Sequence, residues 1–137
     1  MKKTIWTNGC FDIIHSGHVE SLRYAKSLGD YLIVGIDSDS RGKAAKGQDR
    51  PYNNLADRML VLNAIKYVDE IKPFSTDEQL IEIVKGIAPD YFVKGSDYKG
   101  KKIIGSEFAK QIVYFDLLEG RSTTRTLDKI YENKLHD

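Results

Sequence analysis

The run Tyr31–Ile36 restricts the possible fold of this chain more than any other segment. Its residues are almost all apolar, so a strand built from them is buried on both faces. Such strands are typical of parallel sheets that helices cover on each side. Strand and helix patterns alternate along the rest of the chain. We therefore predict an α/β fold: a Rossmann-like, doubly wound, five-stranded parallel sheet with helices on both faces.

The order of the predicted elements follows from their hydrophobic patterns. The strands are predicted over Thr4–Asn8, Tyr31–Ile36, Glu70–Phe74, Tyr91–Lys94 and Ile112–Phe115. The helices are predicted over Gly17–Leu28, Leu55–Val68, Glu78–Lys85 and Ile103–Ala109, with a last helix from Ser122 or Thr123 to Asn133. The polar segment Asp37–Asn54 has no periodicity and is predicted to be a long loop. We predict one domain, residues 1–137.

The composition restricts the partners. With 21 Lys and Arg against 20 Asp and Glu, the net charge of +1 argues against a general nucleic-acid-binding surface. No apolar run reaches the roughly 18 residues of a membrane span. A single Cys fits a reducing compartment, and the amino terminus leads directly into a strand. We therefore expect a cytoplasmic enzyme that binds neither nucleic acid nor membrane, with a homodimer as the default assembly.

Two histidines follow the first predicted strand, in the segment His15-Ser16-Gly17-His18. Residues three apart share one face of a helix, and the N–H groups of its first turn attract anions. Imidazole donors at that position suit phosphoryl or nucleotidyl transfer. Surface or zinc-binding histidines are the alternative. His136 is the one further His and Cys10 the one Cys, so we predict no metal ligand in the protein.

The segment before the histidines is predicted to turn its backbone amides toward a phosphate. We expect these residues to contact the nucleotide, with Gly17 leaving room for close approach: Asn8, Gly9, Cys10 and Phe11. Asp12 is predicted to contact the substrate, and the alternative is that it bonds local N–H groups. Cys10 is predicted to be a buried spectator thiol and not a nucleophile.

Further candidates follow the other strands, whose carboxyl ends should meet at one edge of the sheet. Lys46 and Arg58 are predicted to act on nucleotide phosphates and Arg50 on the substrate, the alternative being a solvated loop. Lys94 ends an apolar strand, where an unpaired ammonium is costly to bury, which favours a nearby anion over an ion pair with Asp97. The predicted nucleotide contacts in these later segments are Lys94, Gly95, Asp97, Ser122, Thr123 and Thr124.

The pattern Gly9-x-Phe11-Asp12-x-x-His15-x-Gly17-His18 resembles the signature of the HxGH nucleotidyltransferases, and Ser122-Thr123-Thr124 resembles their second motif. Within that superfamily the chain is most similar to the adenylyltransferase domain of bacterial bifunctional heptose-phosphate enzymes. These enzymes make nucleotide-activated heptose for lipopolysaccharide cores. The supporting stretches include Lys46-Gly47, Arg50-Pro51-x-Asn53, Arg58-Met59 and Val93-Lys94-Gly95-x-Asp97-Tyr98-Lys99. Glycerol-3-phosphate cytidylyltransferases are more distantly similar and usually carry Thr in place of Cys10.

The resemblance implies a mechanism. A sugar-phosphate oxygen attacks the α-phosphorus of a nucleoside triphosphate in line, and pyrophosphate leaves without a covalent enzyme intermediate. His15 and His18 would stabilise charge on the α- and β-phosphates, and Lys46 would neutralise phosphate. Ser122 and Thr123 would contact the triphosphate tail. Mg²⁺ would travel with the triphosphate, held mainly by phosphate oxygens and water.

Several functions stay open on the sequence. Heptose 1-phosphate adenylyl transfer stands first. The alternatives are a cytidylyltransferase for glycerol 3-phosphate or another polyol phosphate, an FAD synthase-like adenylyltransferase, and a nucleotide-binding module without turnover. The segment Gly105–Ile112 is shorter than in heptose domains, which leaves the identity of the acceptor open. The choice between ATP and CTP is open as well. The presence of both His15 and His18 favours catalysis.

Overall fold

A computed structural model of the protein describes residues 2–116, in which strands and helices alternate. The strands are β1 (Thr4–Gly9), β2 (Tyr31–Asp37), β3 (Glu70–Phe74), β4 (Tyr91–Gly95) and β5 (Gln111–Phe115). The helices are α1 (Ser16–Ser27), α2 (Asp39–Lys46), α3 (Leu55–Asn63) and α4 (Asp77–Ile87). Two 3₁₀ turns, Ser96–Tyr98 and Ser106–Phe108, lie in the connection between β4 and β5.

The five strands form one parallel sheet in the order β3-β2-β1-β4-β5, which confirms the predicted fold. The strand order reverses between β1 and β4, and ligands of such sheets bind beyond the carboxyl ends at that point. The β1–β4 ladder consists of the pairs Ile5–Tyr91 and Trp6–Phe92, near the start of β1, whereas β1 pairs with β2 along its whole length. A crevice therefore opens between the ends of β1 and β4.

Alternate strand residues fill two cores, one on each face of the sheet. On one face, Ile5 of β1 and Val34 of β2 share a core with Leu22 of α1 and Leu62 of α3. On the other face, Trp6 of β1 and Phe92 of β4 share a core with Leu80 and Val84 of α4. A Cβ at Gly35 would lie 2.4 Å from Trp6 Cζ2, so the indole can pack against β2 because that position is glycine.

The prediction of a continuous loop over residues 37–54 is wrong, because α2 occupies part of it. The Ser38 hydroxyl caps this helix by accepting from Arg41 N. Gly42 is buried against Pro51, since a Cβ there would lie 3.1 Å from Pro51 Cδ. The rest of α2 beyond Arg41 is largely exposed and has no apolar stripe, and this is why hydrophobic periodicity did not reveal it.

Two other predicted helices are too long. The helix predicted to reach Val68 ends at Asn63, and Ile65 and Val68 pack against the core from turns instead. The predicted helix Ile103–Ala109 is a single 3₁₀ turn. The last predicted helix lies outside the described residues. Within residues 2–116, no helix combines the length and apolarity needed to cross a membrane.

Candidate active site

The histidine pair forms the start of α1. His15 is the N-cap residue, and its Nδ1 accepts from Gly17 N at 3.1 Å. His18 reaches back, and its Nδ1 accepts from His15 N at 3.2 Å. Two imidazoles thus make the reciprocal capping box that a Ser or Thr and a Glu or Gln usually make. The first turn holds no acidic residue that would repel an anion.

These bonds determine where the ring protons lie. Because the Nδ1 atom of each ring accepts from a backbone N–H, a neutral ring carries its proton on Nε2. Burial, with smaller contributions from His15 and Lys46, lowers the pKa of His18 to about 4. His18 is therefore neutral at physiological pH and presents a fixed N–H donor. The two ring centroids are 4.1 Å apart.

The turn between β1 and α1 is strained at Phe11. This residue has φ of 52°, in the left-handed region that bulky side chains rarely adopt. Its ring is buried and its centroid lies 5.5 Å from that of His18. Non-glycine residues held in this region cost about 1–3 kcal/mol and cluster at functional sites. The strain therefore lies beside the histidine pair.

A cavity of about 670 Å³ opens at the carboxyl ends of β1, β2 and β4. Many of the sequence-predicted residues line it: Asn8, Gly9, Cys10, Phe11, Asp12, His18, Lys46, Lys94, Gly95 and Asp97. These residues therefore lie at the crevice that the strand order indicates.

Lys94 is a half-buried ammonium in the lining of this cavity. Its Nζ donates to Asn8 O at 3.1 Å, across the crevice from β4 to β1, and lies 4.5 Å from the centroid of the Tyr98 ring. Burial lowers the pKa of Lys94 to about 8, although Asp37 and Asp97 oppose that shift. Within residues 2–116, no ion pair joins Lys94 to Asp97. The alternative prediction of such a pair is therefore wrong.

Lys46 and Cys10 lie on the α2 side of the same cavity. Lys46, in the last turn of α2, is close enough to lower the pKa of both His18 and Cys10. Burial nevertheless raises the pKa of the Cys10 thiol, which makes it a poor nucleophile at neutral pH. This agrees with a spectator role for the thiol.

Asp12 and Arg50 form a buried ion pair, with Arg50 Nε 2.9 Å from Asp12 Oδ2. The carboxylate also accepts from Tyr52 N at 2.7 Å and Asn53 N at 2.8 Å, and its side chain has no exposed surface. Burial alone would raise the pKa of Asp12, but these hydrogen bonds outweigh it and lower the pKa. Asp12 thus anchors residues 50–53, which are distant in sequence. A substrate contact for either residue stays a prediction, with Arg50 Nη2 lacking a partner within residues 2–116.

Arg58 is fully buried and does not line the cavity. Its Nη1 donates to the carbonyls of Cys10 and Asp37, each at 2.8 Å, while Nε donates to Asn53 O at 2.9 Å. Its Nη2 pairs with Asp39 Oδ1 at 2.8 Å. Arg58 therefore joins the ends of β1 and β2 to α2 and the following loop. These contacts support a structural role, and the predicted nucleotide contact stays a prediction.

The cavity also contains residues that the sequence did not single out, among them Asp37, Arg41, Leu80 and Lys102. Asp37 has a signal that could have revealed it, since it ends a buried parallel strand. His15 and Gly17 do not line the cavity but form the helix start beside it. Ser122, Thr123 and Thr124 lie outside the described residues. No group of three or more His, Cys, Asp or Glu side chains between residues 2 and 116 could hold a metal ion.

Comparison with known sequences identifies the family to which this chain belongs. The sequence model of the cytidylyltransferase-like family matches residues 6–126. The chain is 50% identical over 129 residues to the bifunctional protein HldE of Sulfurimonas denitrificans. It is 46% identical over 136 residues to HldE of Campylobacter concisus. These alignments cover 94% and 99% of this chain but 27% and 29% of the relatives, so the chain spans less than a third of their length.

Solved structures share the fold. A lipopolysaccharide core biosynthesis protein from Thermoplasma volcanium has a TM-score of 0.69 at 24% identity, covering 87% of this chain and 100% of that chain. A bifunctional NMN adenylyltransferase/ADP ribose pyrophosphatase from Francisella tularensis, complexed with AMP and a manganese ion, has a TM-score of 0.72 at 16% identity. It covers 96% of this chain and 42% of that chain. At these identities the likeness establishes the fold alone.

Proposed function

Because the chain belongs to the cytidylyltransferase-like family, we propose that it transfers a nucleoside monophosphate from a nucleoside triphosphate to a sugar phosphate and releases pyrophosphate. In its most specific form, the proposal is adenylyl transfer from ATP to heptose 1-phosphate. The single observation that supports transfer over mere binding is the capping box of His15 and His18. It fixes a neutral imidazole donor at an anion-attracting helix start, at the edge of a cavity of nucleotide size.

The proposed chemistry is in-line displacement. A phosphate oxygen of the acceptor forms a bond to the α-phosphorus, and the bond from that phosphorus to the bridging oxygen of pyrophosphate breaks. Since the pKa of His18 is about 4, this residue acts as a hydrogen-bond donor and not as a proton carrier. Lys46 and Lys94, which both line the cavity, supply positive charge.

Mg²⁺ would enter this reaction as part of the substrate, bound to the triphosphate. Hard cations of this kind are held mainly by phosphate oxygens and water, so no protein ligand is proposed for the ion. Ser122 and Thr123 are proposed to contact the triphosphate tail, and Arg50 the acceptor.

The acceptor is proposed from the relatives. Identity of 50% to HldE, the bifunctional heptose enzyme, supports a heptose phosphate over glycerol 3-phosphate or a flavin. The matched region is the part of the relatives that would carry nucleotidyl transfer.

Pyrophosphate release tests the proposed function. The purified chain is incubated with Mg²⁺, one of ATP, CTP, GTP or UTP, and one of heptose 1-phosphate, glycerol 3-phosphate or FMN. Release with ATP and heptose 1-phosphate, and a nucleotide-activated heptose in the mass spectrum, is the expected result. Release confined to CTP and glycerol 3-phosphate would support the cytidylyltransferase instead. If no pair releases pyrophosphate, the chain is a binding module.

A Lys94→Met variant should gain stability and lose affinity for ATP. Because the folded pKa of about 8 lies below the unfolded value near 10.5, the unfolded chain holds more protons between those pH values. The buried ammonium therefore costs stability below pH 8, and wild-type stability rises as the pH increases from 8 to 10.5. We expect Lys94→Met to remove this rise in urea unfolding experiments and to weaken ATP binding about 10- to 100-fold.

Calorimetry gives a second measurement of the same group. A bound phosphate should raise the pKa of Lys94, which is about half protonated at pH 8, so ATP binding at that pH takes up as much as about half a proton. The apparent binding enthalpy of the wild type should then differ between HEPES and Tris, and that of Lys94→Met should not. Lys101→Met, at an exposed position outside the cavity lining, is the matched control. Equal proton uptake by the Lys94 and Lys101 variants would contradict the assignment.

A further inference from the structure

Asp37 ends β2 and lines the cavity, although the proposed reaction gives it no role. The acidic side chains of the lining within residues 2–116 are Asp12, Asp37 and Asp97. Asp12 is sealed by its own partners, and Asp97 lies on an exposed turn at the rim. Asp37, with 19% of its side chain exposed, is therefore the partly buried carboxylate that a ligand in the cavity can contact.

A neighbouring arginine holds Asp37 in place. Arg41 Nε donates to Asp37 Oδ1 at 3.1 Å, and Arg41 Nη2 pairs with Asp77 Oδ1 at 2.8 Å. The guanidinium carbon also lies 5.0 Å from the centroid of the Phe74 ring. Arg41 is thus tied to the end of β3 and the start of α4. Asp37 Oδ2 accepts no hydrogen bond from residues 2–116, so this oriented oxygen is available to a ligand.

The charge of Asp37 selects the chemistry of its ligand. A carboxylate repels phosphate and accepts hydrogen bonds from hydroxyl groups. The phosphates have His18, Lys46 and Lys94 as partners in the cavity, and Asp37 is close enough to Lys94 to raise its pKa. The part of a substrate that lies against Asp37 is therefore rich in hydroxyl groups.

We propose, on the premise of the nucleotidyl transfer above, that Asp37 Oδ2 accepts a hydrogen bond from a sugar hydroxyl and so determines which sugar the enzyme accepts. That sugar is either the acceptor or the ribose of the nucleotide, since both present O–H groups. A hydrogen bond to a charged group corresponds to about a 10- to 100-fold change in affinity.

The variants Asp37→Ala, Asp37→Asn and Asp77→Asn test this role. Asp77→Asn removes the other carboxylate of Arg41 at a position outside the cavity lining, so it reproduces any effect that acts merely through Arg41. KM and kcat are measured with ATP and heptose 1-phosphate. Kd is measured by calorimetry for ATP, 2′-deoxyATP and 3′-deoxyATP. Thermal unfolding of each variant checks that it is folded.

Two results support the proposal. If Asp37→Ala raises KM for heptose 1-phosphate 10- to 100-fold with kcat and Kd for ATP unchanged, the hydroxyl belongs to the acceptor. If the wild type prefers ATP over a deoxyATP and Asp37→Ala loses that preference, the hydroxyl belongs to ribose. In both cases Asp37→Asn should lie between wild type and Asp37→Ala, and Asp77→Asn should match the wild type.

Two other results overturn it. Folded Asp37 variants that match the wild type in KM and in nucleotide preference would exclude the role of Asp37 while the proposed function stands. Asp77→Asn that equals Asp37→Ala would reduce Asp37 to a structural partner of Arg41. A wild type without pyrophosphate release for any substrate pair would overturn the proposed function, and this inference with it.

Discussion

Replacing His18 by Ala should lower turnover about 10²- to 10³-fold, which corresponds to roughly 3–4 kcal/mol of transition-state stabilisation. The physical reason is the fixed Nε2–H of a neutral ring, which donates most strongly when charge builds on the phosphates. Because that charge develops in the transition state, Kd for ATP should change much less than kcat. Single-turnover kinetics and calorimetry on the same preparation measure the two quantities.

His18→Gln separates the imidazole ring from the helix cap, because it keeps an acceptor oxygen and an amide N–H but removes the ring. Gln79 shows that glutamine can fill this position in a capping box, because it does so at the start of α4. The Gln variant should therefore keep an acceptor for His15 N and unfold at nearly the wild-type temperature. If it also recovered wild-type turnover, the imidazole ring would be dispensable, and the loss in His18→Ala would be due to the missing cap or the missing N–H donor.

Replacing Arg58 by Met should lower the free energy of unfolding by about 3–5 kcal/mol, at about 1 kcal/mol or more for each group left without its donor. The fully buried guanidinium donates to three carbonyls and one carboxylate, and Met leaves those carbonyls without a donor. Total stabilities of domains are about 5–15 kcal/mol, so the variant should be close to unfolding at 37 °C. Urea unfolding monitored by circular dichroism gives the value.

The partner of Arg58 provides a matched control. Asp39 is 43% exposed, so Asp39→Asn leaves a solvated position and should cost only about 0–1 kcal/mol. An Arg58→Met protein with wild-type stability but a large loss of ATP affinity would restore the sequence prediction that this guanidinium binds the nucleotide.

The architecture could be predicted because its physical signals are local. Tyr31–Ile36 is apolar on both faces, and the position of the histidines after β1 follows from the alternation of elements. Helix α2 could not be predicted in this way, since it is held by a cap, a glycine contact and ion pairs and not by an apolar stripe. The early end of α3 could not be predicted from hydrophobic periodicity either, because Ile65 and Val68 can pack against the core equally well from turns.

The position of the candidate site could be predicted from the sequence, but the group that each of its cationic side chains contacts could not. Arg58 and Arg50 carry the same planar donors whether they hold a phosphate, a carbonyl or a carboxylate. The choice depends on burial and on partners far away in sequence, such as Asp12 with Arg50. Lys94 is different, because an ammonium that ends a buried strand is costly in any fold, and the structure places it in the cavity.

The histidine capping box links acid sensitivity to the integrity of α1. Protonating His18 at Nδ1 removes the acceptor for His15 N, so a single proton disables the donor geometry and loosens the first turn together. As the folded pKa of about 4 lies below the ordinary 6.5, unfolding takes up this proton, and stability falls by up to about 1.4 kcal/mol per pH unit as the pH drops between those values. Stability should therefore decline between pH 6.5 and 4, before the folded protein loses its donor through protonation of His18 near pH 4.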